Sequence, residues 1–180
     1  PVLILPTGPS DPLPSCTLAL MHLIATARRR IWIATPYFVP ELDLLSALKL
    51  AALRGVDVRI LMPHTVDHRI VWLAAFAYVD EALEAGIKLH RYTAGFMHQK
   101  VILLDDRAAS VGTVNLDARS LRLNFELTAL VFDEGFAGQV AAMLEADFNR
   151  SILYDASKHE ARPAWVQVLA PAARLAAPIL

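Results

Sequence analysis

Two segments in the first half of the chain share one local pattern, an apolar helix that stops at a glycine and leads at once into a short run that predicts a strand. Residues 41–54 carry apolar side chains at helical spacing, stop at Gly55 and continue into the strand-like run 56–62. Residues 69–85 and 87–92 repeat the pattern around a second glycine. Glycine adopts the left-handed backbone that ends many helices, and β-branched runs favour strands. This alternation, with short connections, predicts an α/β domain built around a layered sheet.

The composition limits the class of protein. The 180 residues are 56% hydrophobic and 19% charged, with a mean hydropathy of +0.42. That apolar fraction exceeds the roughly 45–50% of soluble domains, so either a buried sheet dominates the fold or part of the surface meets lipid. No run reaches the ~18 apolar residues typical of a membrane-spanning helix. The net charge of -1 gives no global basic field, which argues against nucleic acid as a partner. Cys16 is the sole cysteine, so an internal disulfide is impossible.

A basic triplet, Arg28-Arg29-Arg30, closes a segment for which Ser15 is the predicted helix N-cap. Basic residues in a last helical turn complement the helix dipole, and this is one interpretation of the triplet. Contact with a phosphate or a lipid headgroup is the other. The run 31–34, which follows directly, predicts a strand.

A histidine and a lysine two residues apart are the first candidates for chemistry. His98 and Lys100 lie in the run 98–104, which predicts a strand, so alternation places both side chains on one face. Histidine can attack phosphorus or carry a proton, and lysine offers a positive charge to phosphate oxygens. Structural histidines are common, so this pair alone is a weak signal. His98 has no second histidine or cysteine at ligand spacing nearby, and no metal site is predicted.

The turn after this strand decides which residues join the pair. Residues 105–106 predict a two-residue turn, which would place Thr113 opposite His98 and bring Asn115 to the same face. A three-residue turn would reverse that parity. Gly112 fits a close backbone approach beside the cluster, and a simple bulge fits it equally well. The asparagine amide would join Lys100 in offsetting the charge that develops on a phosphodiester.

Glu126 is a lone acid in the apolar run 124–132. A carboxylate in such a run is costly unless it is paired, and a histidine of the cluster is a natural partner. A carboxylate on one ring nitrogen fixes the tautomer and makes the other nitrogen a better nucleophile. A side chain that points to solvent from a half-exposed strand is the alternative, and the strand alone does not decide between them.

The spacing of these residues adds a resemblance. His98-x-Lys100-x4-Asp105-x6-Gly112-Thr113-x-Asn115 is similar to the HxKxxxxD signature of the phospholipase D superfamily with its Gly-Ser/Thr-x-Asn extension. The likeness extends over nearly the whole chain and looks closest to the C-terminal half of bacterial cardiolipin synthases. Further matching stretches are residues 35–40, 44–49, 55–60, 95–98, 109–115, 119–120, 123–126 and 178–180.

The resemblance implies a fold and an activity. The fold is the phospholipase D-like layered domain, a mixed β-sheet flanked by helices on both faces, over residues 1–160. Residues 161–180 would form an apolar C-terminal tail, either at an interface or docked on the domain. In this family two HxK motifs face each other across one site, and one histidine forms a phosphohistidine while the other transfers protons. Cardiolipin synthases of this kind join two phosphatidylglycerol molecules and release glycerol, without a metal or other cofactor.

The resemblance also implies a role for each motif residue. His98 would be the nucleophile or the general acid/base. Lys100 and Asn115 would bind phosphate, while Thr113 and Gly112 would line the substrate site.

Four further residues complete the implied site. Glu126 falls where the family places the carboxylate that orients the histidine. Asp105 belongs to the signature, but its place in a turn predicts a supporting role without substrate contact. Tyr37 and Phe38, which follow a predicted strand, fit either the rim of the site or core packing.

The chain carries a single HxK motif. It begins with Pro1, so we expect a missing N-terminal portion with the partner motif, and an isolated chain that is inactive unless it dimerises. The expected partners are phosphatidylglycerol and other anionic phospholipids, the membrane surface and the second HxK half. The expected location is the bacterial cell membrane, with anchoring regions outside this chain. Hydrolysis, transfer to another alcohol and a non-catalytic lipid-binding half are the alternatives.

Overall fold

The computed structural model describes residues 1–65 and 69–154, except the side chains of residues 69–72. The predicted tail, residues 161–180, lies outside the described residues. The strands are β1 (Val2–Thr7), β2 (Arg30–Ala34), β3 (Phe38–Val39), β4 (Asp57–Pro63), β5 (Lys88–Tyr92), β6 (Val101–Leu104), β7 (Ala108–Gly112), β8 (Leu116–Asp117), β9 (Glu126–Val131) and β10 (Ser151–Leu153). The helices are α1 (Ser15–Thr26), α2 (Leu42–Leu53), α3 (Arg69–Glu84) and α4 (Glu134–Phe148), with a π-helix at Arg119–Leu123.

Eight of these strands form one mixed sheet in the order β1-β9-β7-β6-β2-β4-β5-β10. Its centre is parallel, because β2, β4 and β5 run in the same direction and are connected through α2 and α3. The pairs on either side of this centre are antiparallel. β3 and β8 form a separate two-stranded parallel sheet. The helices predicted at 41–54 and 69–85, and the strands predicted at 31–34, 56–62 and 87–92, are confirmed to within one residue at each end.

The central strands are buried on both faces. In β2, Ile31 and Ile33 pack into the core formed with α1, α2 and α3, while Trp32 and Ala34 pack into the core formed with α4. Consecutive side chains on a strand point to opposite faces, so two-sided burial requires an unbroken apolar run. The predicted mixed sheet with helices on both faces is therefore confirmed. Within the described residues, no helix combines the length and hydropathy needed to cross a membrane.

The helix-end interpretation of the basic triplet is wrong. α1 ends at Thr26 and has no basic residue in its last turn. Its N-cap position is Pro14, with no side-chain cap, and Ser15 is the first helical residue. Arg30 instead begins β2, and the side chains of Arg29 and Arg30 pair with Asp106.

Candidate active site

The HxK segment lies at one edge of the sheet, which we call the carboxyl edge because β2, β4 and β5 end there. β6 runs antiparallel to β2, so its first residue, Val101, pairs with Ala34 at the end of β2. His98 and Lys100 precede β6 and lie outside any strand, whereas the sequence predicted a strand from residue 98. Ligand sites of α/β sheets favour this edge, where the carboxyl ends of parallel strands leave space for side chains from several loops.

The predicted two-residue turn between β6 and β7 is wrong. Leu104 pairs with Ala108, so three residues, 105–107, form the connection. Asp105 takes a left-handed backbone with φ 52°, a conformation that aspartate tolerates better than most residues. The register therefore shifts by one residue, and the N–H of Gly112 donates to the carbonyl of Lys100 at 3.2 Å.

Asn115 reaches the carboxyl edge by a different route from the one predicted. Thr113 donates its backbone N–H to the carbonyl of Leu127, and its Oγ1 accepts the N–H of Leu127, both at 3.0 Å. The hydroxyl takes the place that the carbonyl of Thr113 would hold in a regular ladder, and the chain leaves the sheet there. Leu116 N then donates to Thr35 Oγ1 at 3.3 Å, just beyond the end of β2. Asn115 lies on this crossover, and its Oδ1 is buried without a hydrogen-bond partner among the described residues.

Gly112 is required by the packing of β7 against β9. A Cβ added there would lie 2.4 Å from the carbonyl oxygen of Leu127 and 2.9 Å from the Cα of Thr128. The close backbone approach expected from the sequence is present, and its partner is β9. A contact between Gly112 and substrate stays a prediction.

His98 and Lys100 form a compact pair. Lys100 Nζ lies 2.8 Å from His98 Nδ1 and donates to the carbonyl of His98 at 3.0 Å. The imidazole stacks on Phe96, with 5.7 Å between ring centroids, and meets the edge of Tyr37 at 6.3 Å. Lys100 Nζ also lies 3.4 Å from Nε2, so the ammonium is closer to Nδ1 and Nε2 is the less engaged ring nitrogen.

Glu126 is the first residue of β9, at the carboxyl edge, and pairs with Thr7 of β1. β7 lies between β9 and the strand that follows the HxK segment, and neighbouring strands are about 4.8 Å apart, so the two backbones are about 10 Å apart. Within the described part of the chain Glu126 accepts from Asn124 Nδ2 at 3.1 Å, and no hydrogen bond joins it to His98. The orienting role of Glu126 stays a prediction.

Comparison with known proteins identifies the family. A family model described as the cardiolipin synthase, PLD-like domain, matches residues 20–152. Cardiolipin synthase A of Pseudomonas aeruginosa is 48% identical over 177 residues, which are 98% of this chain and 36% of that protein. Cardiolipin synthase A of a Pseudomonas putida strain is 50% identical over 82% of this chain and 31% of its own length.

The chain belongs to the cardiolipin synthase family of PLD-like domains. The resemblance inferred from the HxK motif is thereby confirmed. The chain spans only about a third of the length of these curated relatives, as the shares of 36% and 31% show.

Solved structures confirm the fold of this PLD-like domain. Nuc, a phospholipase D family member from Salmonella typhimurium, superposes with a TM-score of 0.72 and 22% identity over 86% of this chain and 97% of its own. The phosphatidylserine synthase of Haemophilus influenzae also has a TM-score of 0.72, with 18% identity over 99% of this chain and 48% of its own. At these identities the likeness concerns the fold.

The aspartate of the PLD signature lies at the end of β6 away from the HxK pair. Asp105 is 7% exposed, and its carboxylate accepts the backbone N–H groups of Arg28, Arg29 and Arg30 at 3.1, 2.8 and 3.1 Å. Burial acts to raise the pKa of Asp105, but these backbone hydrogen bonds outweigh it and hold the pKa below its usual value. Asp105 is seven positions from His98, and an extended chain of that length spans about 23 Å. Its contacts are therefore structural.

The structure gives different positions to Tyr37 and Phe38, for which the sequence allowed either the rim of the site or the core. Tyr37 lies at the rim, with its ring edge toward His98. Phe38 is 1% exposed and packs in the core against the helices, so it has no surface with which to contact substrate. The substrate-binding assignment of Phe38 is corrected to core packing, because β3 pairs with β8 and turns that side chain inward.

Asp117, which no predicted motif included, supports the site. Asp117 is 4% exposed and accepts the backbone N–H of Ser120 at 2.7 Å, which caps the π-helix next to Asn115. Burial raises the pKa of Asp117, and the charge of nearby Glu126 adds to the rise. An aspartate just before a helical segment is a capping signal that could have found it. Among the described residues, no group of three or more His, Cys, Asp or Glu side chains could hold a metal ion, and a metal-free reaction stays a prediction.

Proposed function

We propose that this domain is one catalytic half of an enzyme that makes cardiolipin from two phosphatidylglycerol molecules and releases glycerol. The observation that carries the proposal is the contact between His98 and Lys100 at the carboxyl edge, in a chain that belongs to the cardiolipin synthase family. An imidazole beside an ammonium suits attack on, or proton transfer to, an anionic phosphodiester.

The proposed reaction uses one histidine from each half. A ring nitrogen of one histidine attacks phosphorus, the bond from phosphorus to the glycerol oxygen breaks, and the leaving oxygen takes a proton from the other histidine. That second histidine then removes the proton from a hydroxyl of the second phosphatidylglycerol. The hydroxyl oxygen attacks phosphorus and releases the first histidine. His98 fills one of these two roles.

The remaining motif residues would hold the phosphate and the histidine. Lys100 and Asn115 offset the charge that builds on the phosphate oxygens, and Thr113 assists from the adjacent position. Glu126 would orient the imidazole from the start of β9, at the same edge of the sheet. The side-chain hydrogen bond between Asn115 and the buried Asp117 supports the role of Asn115, because it holds the amide beside the site.

The second HxK half is the proposed partner, and a part of the sheet that no described element covers supports it. On the side that carries α4, the strands β1, β9 and β7 expose Val2, Ile4, Leu127 and Val111 by 61%, 55%, 51% and 42%. We call these four residues the open sheet face. Contiguous exposed apolar side chains on one sheet face mark a contact surface. This surface extends to Leu127 at the carboxyl edge, on the face of the sheet opposite to the one toward which His98 and Lys100 point, so a half docked there would reach the site around that edge.

The proposed substrate and location are the anionic phospholipids of the bacterial cell membrane, with anchoring by regions outside this chain. Three exposed apolar side chains lie close to the site in sequence and support contact with acyl chains: Phe96, Leu123 and Phe125. Phe96 also stacks on His98, so apolar surface adjoins the reacting group.

The test uses the full-length natural protein that carries this sequence, in detergent–phosphatidylglycerol micelles with a chelator. We expect cardiolipin and glycerol in equal amounts, and loss of both in the His98→Ala variant. His22→Ala is the matched control, because His22 is exposed on α1 and should leave the rate unchanged. Phosphatidic acid without cardiolipin would make the protein a hydrolase, and wild-type turnover in His98→Ala would remove His98 from the reaction.

A further inference from the structure

The residue between His98 and Lys100 makes a specific contact with α4. Gln99 Nε2 donates to Asp147 Oδ2 at 2.7 Å, across 48 positions of sequence. Asp147 is 5% exposed and lies in the last turn of α4, where Arg150 donates to its other oxygen at 2.8 Å. A buried carboxylate is stable only when donors satisfy it, so this acceptor is fixed in place.

Alternate residues of the HxK segment have different roles: one set anchors the segment and the other carries the proposed chemistry. Met97 is 3% exposed and packs in the core formed with α4, on the side toward which Gln99 also points. His98 and Lys100 point to the other side, where they contact each other. The segment precedes β6 and has no regular ladder of its own, apart from the hydrogen bond between Gly112 and Lys100. Side-chain anchors must therefore fix the direction in which the two reacting residues project.

We propose that the Gln99–Asp147 hydrogen bond positions His98 and Lys100 for phosphodiester chemistry, which makes Gln99 a positioning residue and rests on the proposed function. It ties the HxK segment to α4, an element that supplies no residue to the proposed reaction. Misplacement of a reacting group by about 1 Å can cost on the order of 100-fold in rate, so loss of this contact should lower kcat. KM should change little, because substrate binding by the two side chains does not depend on one exact orientation.

A reversed hydrogen bond provides the test. Gln99→Glu alone places its carboxylate against that of Asp147. We expect kcat of the full-length protein to fall about 10-fold or more, while KM stays within about twofold of the wild-type value. Adding Asp147→Asn lets the new amide donate to the new carboxylate, and the double variant should regain kcat to within about threefold of wild type. Melting temperatures separate this effect from a general loss of stability in α4, because a positioning role predicts that kcat falls in Gln99→Glu under conditions in which the variant is fully folded.

Two further variants keep the test decisive. Gln99→Met preserves side-chain volume but removes the donor, and it should lower kcat like Gln99→Glu even if the charged variant folds poorly. Glu145→Gln changes an exposed acid on the same helix and should leave kcat unchanged. Wild-type kcat in either Gln99 variant, or a loss in Gln99→Glu that the double variant does not restore, would overturn the inference.

Measuring two products distinguishes a failure of this inference from a failure of the proposed function. Release of glycerol from phosphatidylglycerol reports every phosphodiester turnover and tests Gln99. Cardiolipin reports the acceptor and tests the proposed function. A wild-type protein that releases glycerol without cardiolipin would overturn the function, while the fall and recovery of glycerol release across the variants would still support the positioning role.

Discussion

At the scale of single residues, the signature positions divide into those at the site and those that build it. His98 and Lys100 meet at the carboxyl edge, whereas Asp105 lies about 23 Å away and clamps the start of β2 to the β6–β7 connection. A spacing pattern in a sequence does not distinguish these roles, because each position is equally specified. The contacts distinguish them: three backbone donors converge on Asp105 and leave it no free surface for substrate.

Gly112 gives the residue-scale prediction. Gly112→Ala places a methyl group 2.4 Å from the Leu127 carbonyl, so β7 and β9 must separate. We expect a loss of roughly 1–3 kcal/mol in the free energy of unfolding and a lower rate, because β9 carries Glu126. Thermal unfolding and the cardiolipin assay measure the two effects. Gly138→Ala is the control, since no atom lies within 4 Å of an added Cβ and alanine favours the helix by about 1 kcal/mol. Equal stability of the two variants would contradict the prediction.

At the scale of elements, the sequence predicted those whose pattern is local. Helices α2 and α3 end at glycines with φ 88° and 85°, and each glycine leads within two residues into a strand. The predicted length of the β6–β7 connection was one residue too short. Two aspartates fit turns of either length, and the backbone donors that hold Asp105 are distant in sequence. α4 was missed although Asp133 caps it by accepting the N–H of Phe136 at 2.8 Å. The pairing of β3 with β8 depends on the crossover at Thr113, which no local pattern encodes.

His90 gives the element-scale prediction, at the junction of β5, β10 and α4. Its ring lies 4.6 Å from that of Phe148, and its Nδ1 lies 3.0 Å from Ser151 Oγ. Burial, together with the charges of Arg59 and Lys88, lowers the pKa of His90 from 6.5 to about 4. The folded state therefore favours the neutral ring.

The stabilisation from His90 is fully present above pH 6.5 and is lost as the pH falls toward 4. We expect it to amount to about 1–2 kcal/mol, since solvent partly screens a half-buried ring. The melting temperature of His90→Gln should depend less on pH in this window than that of wild type. His22→Gln alters an exposed ring and serves as the control. Identical pH profiles for wild type and His90→Gln would show that other groups carry the dependence.

At the scale of the whole molecule, the described helices cover the sheet unequally. Its centre is buried between α1–α3 and α4, while β1 and β9 leave apolar side chains exposed on the α4 side. The sequence indicated an excess of apolar residues but not where they lie, because Val2–Thr7 pairs with β9, more than a hundred residues away in the chain. The single HxK motif and this exposed apolar surface both support the proposal of a second half.

Ile4 tests whether the open sheet face docks the second half. It is 55% exposed and pairs with Ala129, away from the HxK segment, so Ile4→Lys should spare the fold of this domain. A lysine buried between two halves is costly, and we expect at least a tenfold loss of cardiolipin formation in the full-length protein. Halves that no longer contact each other should also unfold in two thermal transitions where wild type shows one. Leu53→Lys is the matched control, because Leu53 is 73% exposed at the end of α2 on the opposite side of the sheet. If Ile4→Lys matches Leu53→Lys in rate and in unfolding, the second half docks elsewhere and the open sheet face meets a different surface.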